Sequence, residues 1–435
     1  MALANKMGFW GVLALVVGCQ IGSGLFLLPT TLAPFGGVSL LAWGVTGVGA
    51  VALALVFAYL CDYLPQTGGP HVYVAHTAGK TAAFYTAWSY WLISWISSIP
   101  LITTTLLAFF QLVGERSSVE YTLLALGLIG GLAWLNLRGL QVAGIGEVIL
   151  SALKVVPLVV IPLFALFWWN GDHFVPFNPS PGPLLMTLNK ASLLALWGFI
   201  GVELATTPAG NVENPKKTIP KALVLGTSLV ALLYFFNTLA MMGLIHPEVL
   251  VKDPAPYVTA TQMLWGGQTS NLIALLTMVM CIGTLNAWVL ASGQIAKGAA
   301  DEGLFPAFFQ KTTPQGGPIW GIGLSCLGMF GIFVFQRGDL MDITRQLIEL
   351  SSLIFLLIYG ICVAVFFVLM AKGRIRPTVV KGLVGAIALC FCGWILWETG
   401  VEIWMEKGVQ LLYTLFIPAS GGIARLLWKT FGSKA

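Results

Sequence analysis

The chain has 435 residues, of which 57% are hydrophobic and only 9% charged, and its mean hydropathy is +0.89. No soluble domain of this size has such a composition. The net charge of +5 says little by itself, whereas its placement along the chain says more.

Twelve apolar runs are long enough to cross a bilayer, which takes about 20 residues in a helix. They cover residues 8–34, 38–61, 82–112, 121–137, 146–169, 187–208, 222–244, 271–297, 319–336, 345–371, 379–397 and 406–428. The first run is too long for a cleavable signal and lacks a small-residue cleavage site. The longest gap, 245–270, leaves no room for a soluble domain. Short loops carry the orientation signal. With the N-terminus inside, 15 Lys and Arg fall on the cytoplasmic side, 6 fall outside, and Lys154 lies within the fifth run. Both termini are therefore expected in the cytoplasm. The seven cysteines all lie in or at apolar runs, which reads as reduced packing residues and no disulfide or metal framework.

In chain order, the first run holds Gly22-Ser23-Gly24 at its centre, where a plain anchor would carry Leu, Ile or Val. Glycine costs a helix about 1 kcal/mol against alanine. A broken helix in hydrocarbon is tolerable only where its backbone faces a protein-lined cavity. Freed N–H groups at such a point favour an anion such as a carboxylate. Close helix packing through small residues is the competing reading. The third run carries Tyr90, Ser94, Ser97 and Ser98 on one helical face, which suits either cavity lining or local hydroxyl–backbone bonding. The fifth holds Lys154, about 12 Å deep at 1.5 Å per residue, and an ionisable group at that depth points to function.

The sixth run reads Trp197-Gly198-Phe199-Ile200-Gly201-Val202-Glu203. Glycines again interrupt an apolar helix, now beside an acid that must face water, find a partner or stay protonated. The eighth contains Thr284 and Trp288, and the tenth carries Ser351, Ser352 and Tyr359 on a compatible face. The four histidines, His71, His76, His173 and His246, read as loop residues, with no nucleophile–base pair. The interrupted runs open two halves of five runs each, an odd number. Halves 8–169 and 187–371 would then be inverted repeats, and broken helices at matching positions of such repeats mark a transporter binding site. Residues 379–428 supply two further helices.

At these residues the chain resembles the amino acid–polyamine–organocation transporters, within them the bacterial arginine/agmatine, lysine/cadaverine and ornithine/putrescine exchangers. The matching motifs are Gly22-Ser23-Gly24 with Phe26 and Pro29, the Trp197–Glu203 stretch, Glu213-Asn214-Pro215-Lys216 and Ala300-Asp301-Glu302-Gly303-Leu304-Phe305-Pro306. The resemblance implies an all-α, twelve-helix membrane protein. Its core would be a LeuT-like five-plus-five inverted repeat with discontinuous helices one and six, often dimeric through the last two helices. It implies that Ser23 and Gly24 hold a substrate carboxylate and that backbone of Ile21, Trp197 and Ile200 accepts from its α-ammonium. Tyr90, Ile93, Ser94, Ser98, Thr284 and Ser351 would line a side-chain pocket over Trp288. Trp197 would be a middle gate, Glu203 a proton-sensitive group below it, and His71 an inner-gate position. Lys154 resembles a lysine of sodium-independent carriers and would replace a sodium ion. Ser98 and His71 depart from the asparagine and tyrosine of the arginine exchangers.

The expected function is exchange of a basic amino acid for its decarboxylated amine across a bacterial inner membrane. A neutral amino acid exchanger or permease is the alternative. No enzyme activity, cofactor, metal or nucleic-acid partner is expected. The partners are the small-molecule substrate, membrane lipid and, by the resemblance, a second copy of the chain.

Overall fold

The computed structural model describes residues 8–65, 69–114, 117–138, 145–206, 212–335, 340–406 and 408–431. Among these described residues sixteen α-helices follow one another: α1 (Phe9–Gln20), α2 (Ser23–Leu32), α3 (Val38–Tyr63), α4 (Pro70–Ile96), α5 (Ile99–Val113), α6 (Ser118–Leu137), α7 (Ile145–Ala165), α8 (Leu184–Leu196), α9 (Pro215–Leu244), α10 (Pro247–Leu250), α11 (Pro256–Trp265), α12 (Gly267–Asp301), α13 (Ile319–Phe335), α14 (Leu340–Ala371), α15 (Val379–Glu406) and α16 (Gly408–Phe431). Among the described residues, extended pairing is limited to one isolated bridge, Thr312 with Pro318. Eight helical stretches are long and apolar enough to span a membrane, and α1, α2, α7 and α13 add shorter apolar pieces. The protein is an all-helical membrane protein.

Helix ends follow local chemistry. Asn214 takes a left-handed φ of 44°, a conformation asparagine tolerates, and Pro215 opens α9 at the position where its missing N–H costs nothing. Pro70 opens α4 in the same way. That start places His71 and His76 inside a helix, correcting their assignment to a loop. Gly79, at φ 82°, kinks α4. The third apolar run is not continuous either. It turns at Ser97–Ser98 and resumes as α5, with Pro100 in the first turn.

Prolines within α7 show how polar backbone is handled here. Pro162 has no N–H to offer Leu158 O four residues earlier. Asn237 of α9 fills that carbonyl from Nδ2 at 2.9 Å, and Tyr257 Oη donates to Asn237 Oδ1 at 2.5 Å. One side-chain pair thus ties α7, α9 and α11 together. Around α1, helices α7 and α9 pack directly, α3 covers α8 and α9, and α12 lies against α4 and α5. α15 packs on α3, α8 and α14, and α16 on α4. The two interrupted segments, α1–α2 and α8 with its continuation, meet inside this bundle.

Candidate functional site

The first interruption runs from Gly18 to Gly24. α1 ends at Gln20, Ile21 is extended, Gly22 is non-helical, and α2 starts at Ser23 without a side-chain cap. The last carbonyls of α1 would be orphaned by the break, and other helices fill them. Lys154 Nζ donates to Gly18 O at 3.0 Å and to Thr284 Oγ1 at 2.8 Å. Thr284 then shares its single proton between Ile21 O and Met280 O, both at 3.2 Å. Tyr234 Oη donates to Gln20 O at 2.9 Å, and Gln20 Nε2 reaches Thr227 Oγ1 at 3.1 Å. The ammonium of Lys154 is buried, and these oxygens replace part of the water it gave up.

The second interruption repairs its main chain locally. Trp197–Phe199 and Val202–Thr206 form short 3₁₀ turns on either side of extended Ile200. Gly201 between them has φ +100°, which a residue with a Cβ rarely adopts. Leu204 N donates to Gly201 O at 3.0 Å. The side chain is what needs partners. Glu203 is 1% exposed; Tyr90 Oη donates to its Oε1 at 2.8 Å, and Tyr359 Oη donates to its Oε2. Thr206 Oγ1 donates to its main-chain oxygen at 2.7 Å. A stacked pair, Trp43 on Tyr234 at 4.8 Å, backs the turn, with the Phe199 ring edge-on to Trp43.

Between the breaks lies a small, partly open cavity of about 30 Å³, lined by Cys19, Gln20, Gly22, Gly24, Ser97, Leu101, Trp197, Ile200, Thr284 and Trp288. That is room for water and not for an amino acid, so an amino acid enters only if a wall moves. The Trp197 indole is the wall that covers α2. A Cβ placed on Gly24 would come within 2.6 Å of Trp197 Cδ1. Among the described residues, no acidic or basic side chain lines the cavity. Trp288 meets the Phe355 ring edge-on at 5.9 Å. Phe355 in turn lies 6.0 Å from both Tyr90 and Tyr359, so one ring bridges the cavity and the Glu203 cluster.

Of the residues singled out from sequence, Gly22, Gly24, Ser97, Trp197, Ile200, Thr284 and Trp288 come together around the cavity. Ser23 is the first residue of α2; its side chain lies outside the described part. Ile21 turns its carbonyl to Thr284, and its neighbour Gln20 takes the place on the lining. Tyr90 is absent from the lining and holds Glu203 instead. Ile93 is buried off the cavity. Ser94 donates to Trp91 O at 2.7 Å and Ser98 to Ser94 O at 3.1 Å, so both bond within their own segment. Ser351 is buried with no partner for its hydroxyl among the described residues. His71 is fully buried, and neither ring nitrogen has a partner among the described residues. It adjoins Tyr90: a Cβ on Gly69 would lie 3.1 Å from Tyr90 Cε1 and 3.8 Å from His71 Nδ1.

Sequence reasoning missed Tyr359, Tyr234 and Gln20 as site residues. For Tyr359 a signal existed, a tyrosine mid-span on the face of Ser351 and Ser352. For Tyr234 and Gln20 the partner is main chain or a threonine of another helix, and no local pattern marks that.

Comparison with known proteins agrees with this architecture. A model of the amino acid permease family matches residues 7–424. The chain is 26% identical over 413 residues to the putrescine transporter PotE of Escherichia coli (strain K12), covering 92% of each chain. It is 27% identical over 369 residues to the cadaverine/lysine antiporter of the same strain, covering 82% of each. It is also 28% identical over 432 residues to a putative arginine/ornithine antiporter of Bacillus subtilis (strain 168), covering 91% of each. With nearly its whole length matched, the chain belongs to the amino acid permease family, a family of membrane transporters and not of enzymes.

Proposed function

We propose that the protein is a secondary antiporter that exchanges a basic amino acid for its decarboxylated amine by alternating access. The observation that carries this is the meeting of two interrupted helices over one small cavity, with the Trp197 indole lying on Gly24. In this reading the uncapped start of α2, at Ser23 and Gly24, takes the substrate carboxylate. The faces of Trp197 and Trp288 hold the cationic end, an interaction of about 2 kcal/mol or more once desolvated. Trp197 swings away to admit substrate, and Glu203, His71 and their tyrosines link the inner gate to protons. Lys154 supplies the positive charge that a sodium ion would otherwise bring to the first break, so transport runs without sodium.

The same reading includes twelve spans arranged as inverted repeats 8–169 and 187–371, with 379–428 added. Both termini would lie in the cytoplasm of a bacterial cell. The names of the similar transporters support the amine and basic amino acid class. One observation favours a neutral amino acid instead: the cavity wall holds no acid, and both Glu203 oxygens are engaged by tyrosines.

The test is uptake of radiolabelled amino acids and amines into proteoliposomes preloaded with unlabelled substrate, with sodium replaced by choline. Trans-stimulation by lysine, ornithine or arginine against their amines supports the proposal. Stimulation by neutral amino acids alone moves the substrate class. Uptake without trans-stimulation, or a strict sodium requirement, refutes the exchange mechanism or the role of Lys154 respectively.

A further inference from the structure

Two of the four histidines, 73 positions apart in the sequence, meet at the end of the bundle formed by α7 and α9. His173 lies in the 3₁₀ turn Gly171–Phe174, and His246 is the residue that precedes α10. Their ring centroids are 5.3 Å apart with planes at 76°. An edge contact between rings accounts for such a pair, but the surroundings add a feature that ring packing does not require. His173 Nδ1 lies 3.2 Å from Met242 O. A carbonyl only accepts, so Nδ1 carries the proton in the neutral ring, and Nε2 keeps its lone pair. This is how metal-binding imidazoles are oriented: the second ring nitrogen donates to a backbone carbonyl.

The distance fits as well. Two imidazoles on a tetrahedral Zn²⁺, with Zn–N bonds of about 2.0–2.1 Å, have ring centroids about 5.2 Å apart. The carriers are held firmly before any ion arrives. Asn170 N donates to Gly243 O at 2.9 Å. The Trp169 indole packs on Gly243, where a Cβ would come within 1.8 Å of Cδ1, and it stacks on Phe174 at 5.7 Å. Asp172 N donates to Asn170 Oδ1 at 3.0 Å. The stretch that receives these contacts, Met242 and Gly243, leads directly to His246. His246 is exposed and caps nothing.

We propose that His173 and His246 form a binding site for a divalent transition-metal ion, Zn²⁺ in the first instance. Two protein nitrogens come from two separate segments, and water completes the coordination. Imidazole ligands suit Zn²⁺, Cu²⁺ and Ni²⁺ and disfavour Mg²⁺ and Ca²⁺. A bound ion would clip the Gly171–Phe174 turn to the start of α10, two segments that no covalent bond joins. This site is remote in chemistry from the transport cavity and does not depend on the proposed substrate.

The experiment is calorimetric titration of ZnCl₂ into the full-length, tag-free protein in detergent, beside His173→Ala, His246→Ala and His76→Ala. One ion per chain in the native protein is expected, with the isotherm lost in both His173→Ala and His246→Ala and kept in His76→Ala. MgCl₂ should give no heat. Thermal unfolding of the same samples checks that each variant is folded. A Zn²⁺-dependent rise in melting temperature, present in the native protein and absent in His246→Ala, is the second readout. Because the His246 side chain caps nothing, that variant tests the site even where His173→Ala loosens the turn. No uptake by the native protein overturns the proposal, and so does uptake that survives in His246→Ala.

Discussion

The two interruptions meet over one cavity, yet they meet their polar demands in opposite ways. In the first, the main chain is open and side chains from three other helices close it: Lys154 of α7, Tyr234 of α9 and Thr284 of α12. In the second, the main chain closes on itself in 3₁₀ turns, and a side chain, Glu203, is held from outside by Tyr90 of α4 and Tyr359 of α14. The carbonyl end of the first break is fixed to its surroundings, and only the start of α2 lacks a cap. The second break is anchored through a titratable group and carries the indole that covers that start. In the proposed mechanism the first break is the fixed frame and the second the moving part.

The contact between the two breaks is the most sensitive point. Gly24→Val places methyl groups where the Trp197 ring already comes within 2.6 Å of a Cβ, and it fills the approach to the α2 N–H groups. Substrate exchange in proteoliposomes should fall to background while the purified protein remains monodisperse. Native affinity in this variant would show that Gly24 and Trp197 only pack.

The fixed-frame assignment is broken by Lys154→Ala. It strips Gly18 O of its donor and leaves Thr284 without the ammonium it accepts from. An unpaired buried polar group costs about 1–3 kcal/mol, or about 5–150-fold in an equilibrium. We expect exchange to slow within that range, with membrane insertion near normal. Native exchange rates would mean that the first break holds its shape without Lys154.

A smaller effect is expected from Trp288→Leu, which keeps apolar bulk and removes the ring face. For a cationic substrate, affinity should fall about 5–30-fold, the equivalent of about 1–2 kcal/mol. Unchanged affinity for lysine or ornithine, measured by competition, would favour the neutral substrate class.

The sequence makes the breaks themselves legible, because glycine clusters in mid-span have few uses in hydrocarbon. Lys154 and Glu203 stand out for the same reason, as ionisable groups where most residues are apolar. What meets them does not stand out. Membrane helices are apolar all round, so the spacing that reveals a buried face in a soluble helix carries little signal here. Tyr234 is simply a tyrosine in an apolar run until the fold aims its hydroxyl at Gln20 O, whereas Tyr359 shares a face with Ser351 and Ser352 and only its partner is hidden. The serine face of the third run divides between its two readings: Ser97 lines the cavity, and the others bond locally. A hydroxyl can bond its own helix, and Ser94 and Ser98 do so. The pairing of His173 with His246 is a contact between two loops, which no periodicity announces.

The last prediction sharpens the moving-part side of the comparison. Glu203 accepts one hydrogen bond on each oxygen. Glu203→Gln keeps the shape and half of that pattern: Oε1 still accepts from one tyrosine, and the other hydroxyl rotates to accept from Nε2, since a phenol does both. The fold should survive, with thermal stability near native. What the variant loses is the ability to gain or release a proton. If Glu203 couples protons to the gate, exchange by Glu203→Gln becomes flat across the pH range in which the native rate changes, with only a modest change at the native optimum. Phe355 gives the change a path, because it touches both tyrosines and Trp288. Phe355→Leu should therefore weaken the pH response while leaving Glu203 titratable. A Glu203→Gln protein with the native pH profile would make Glu203 an architectural acid, and the second break would then be as fixed as the first.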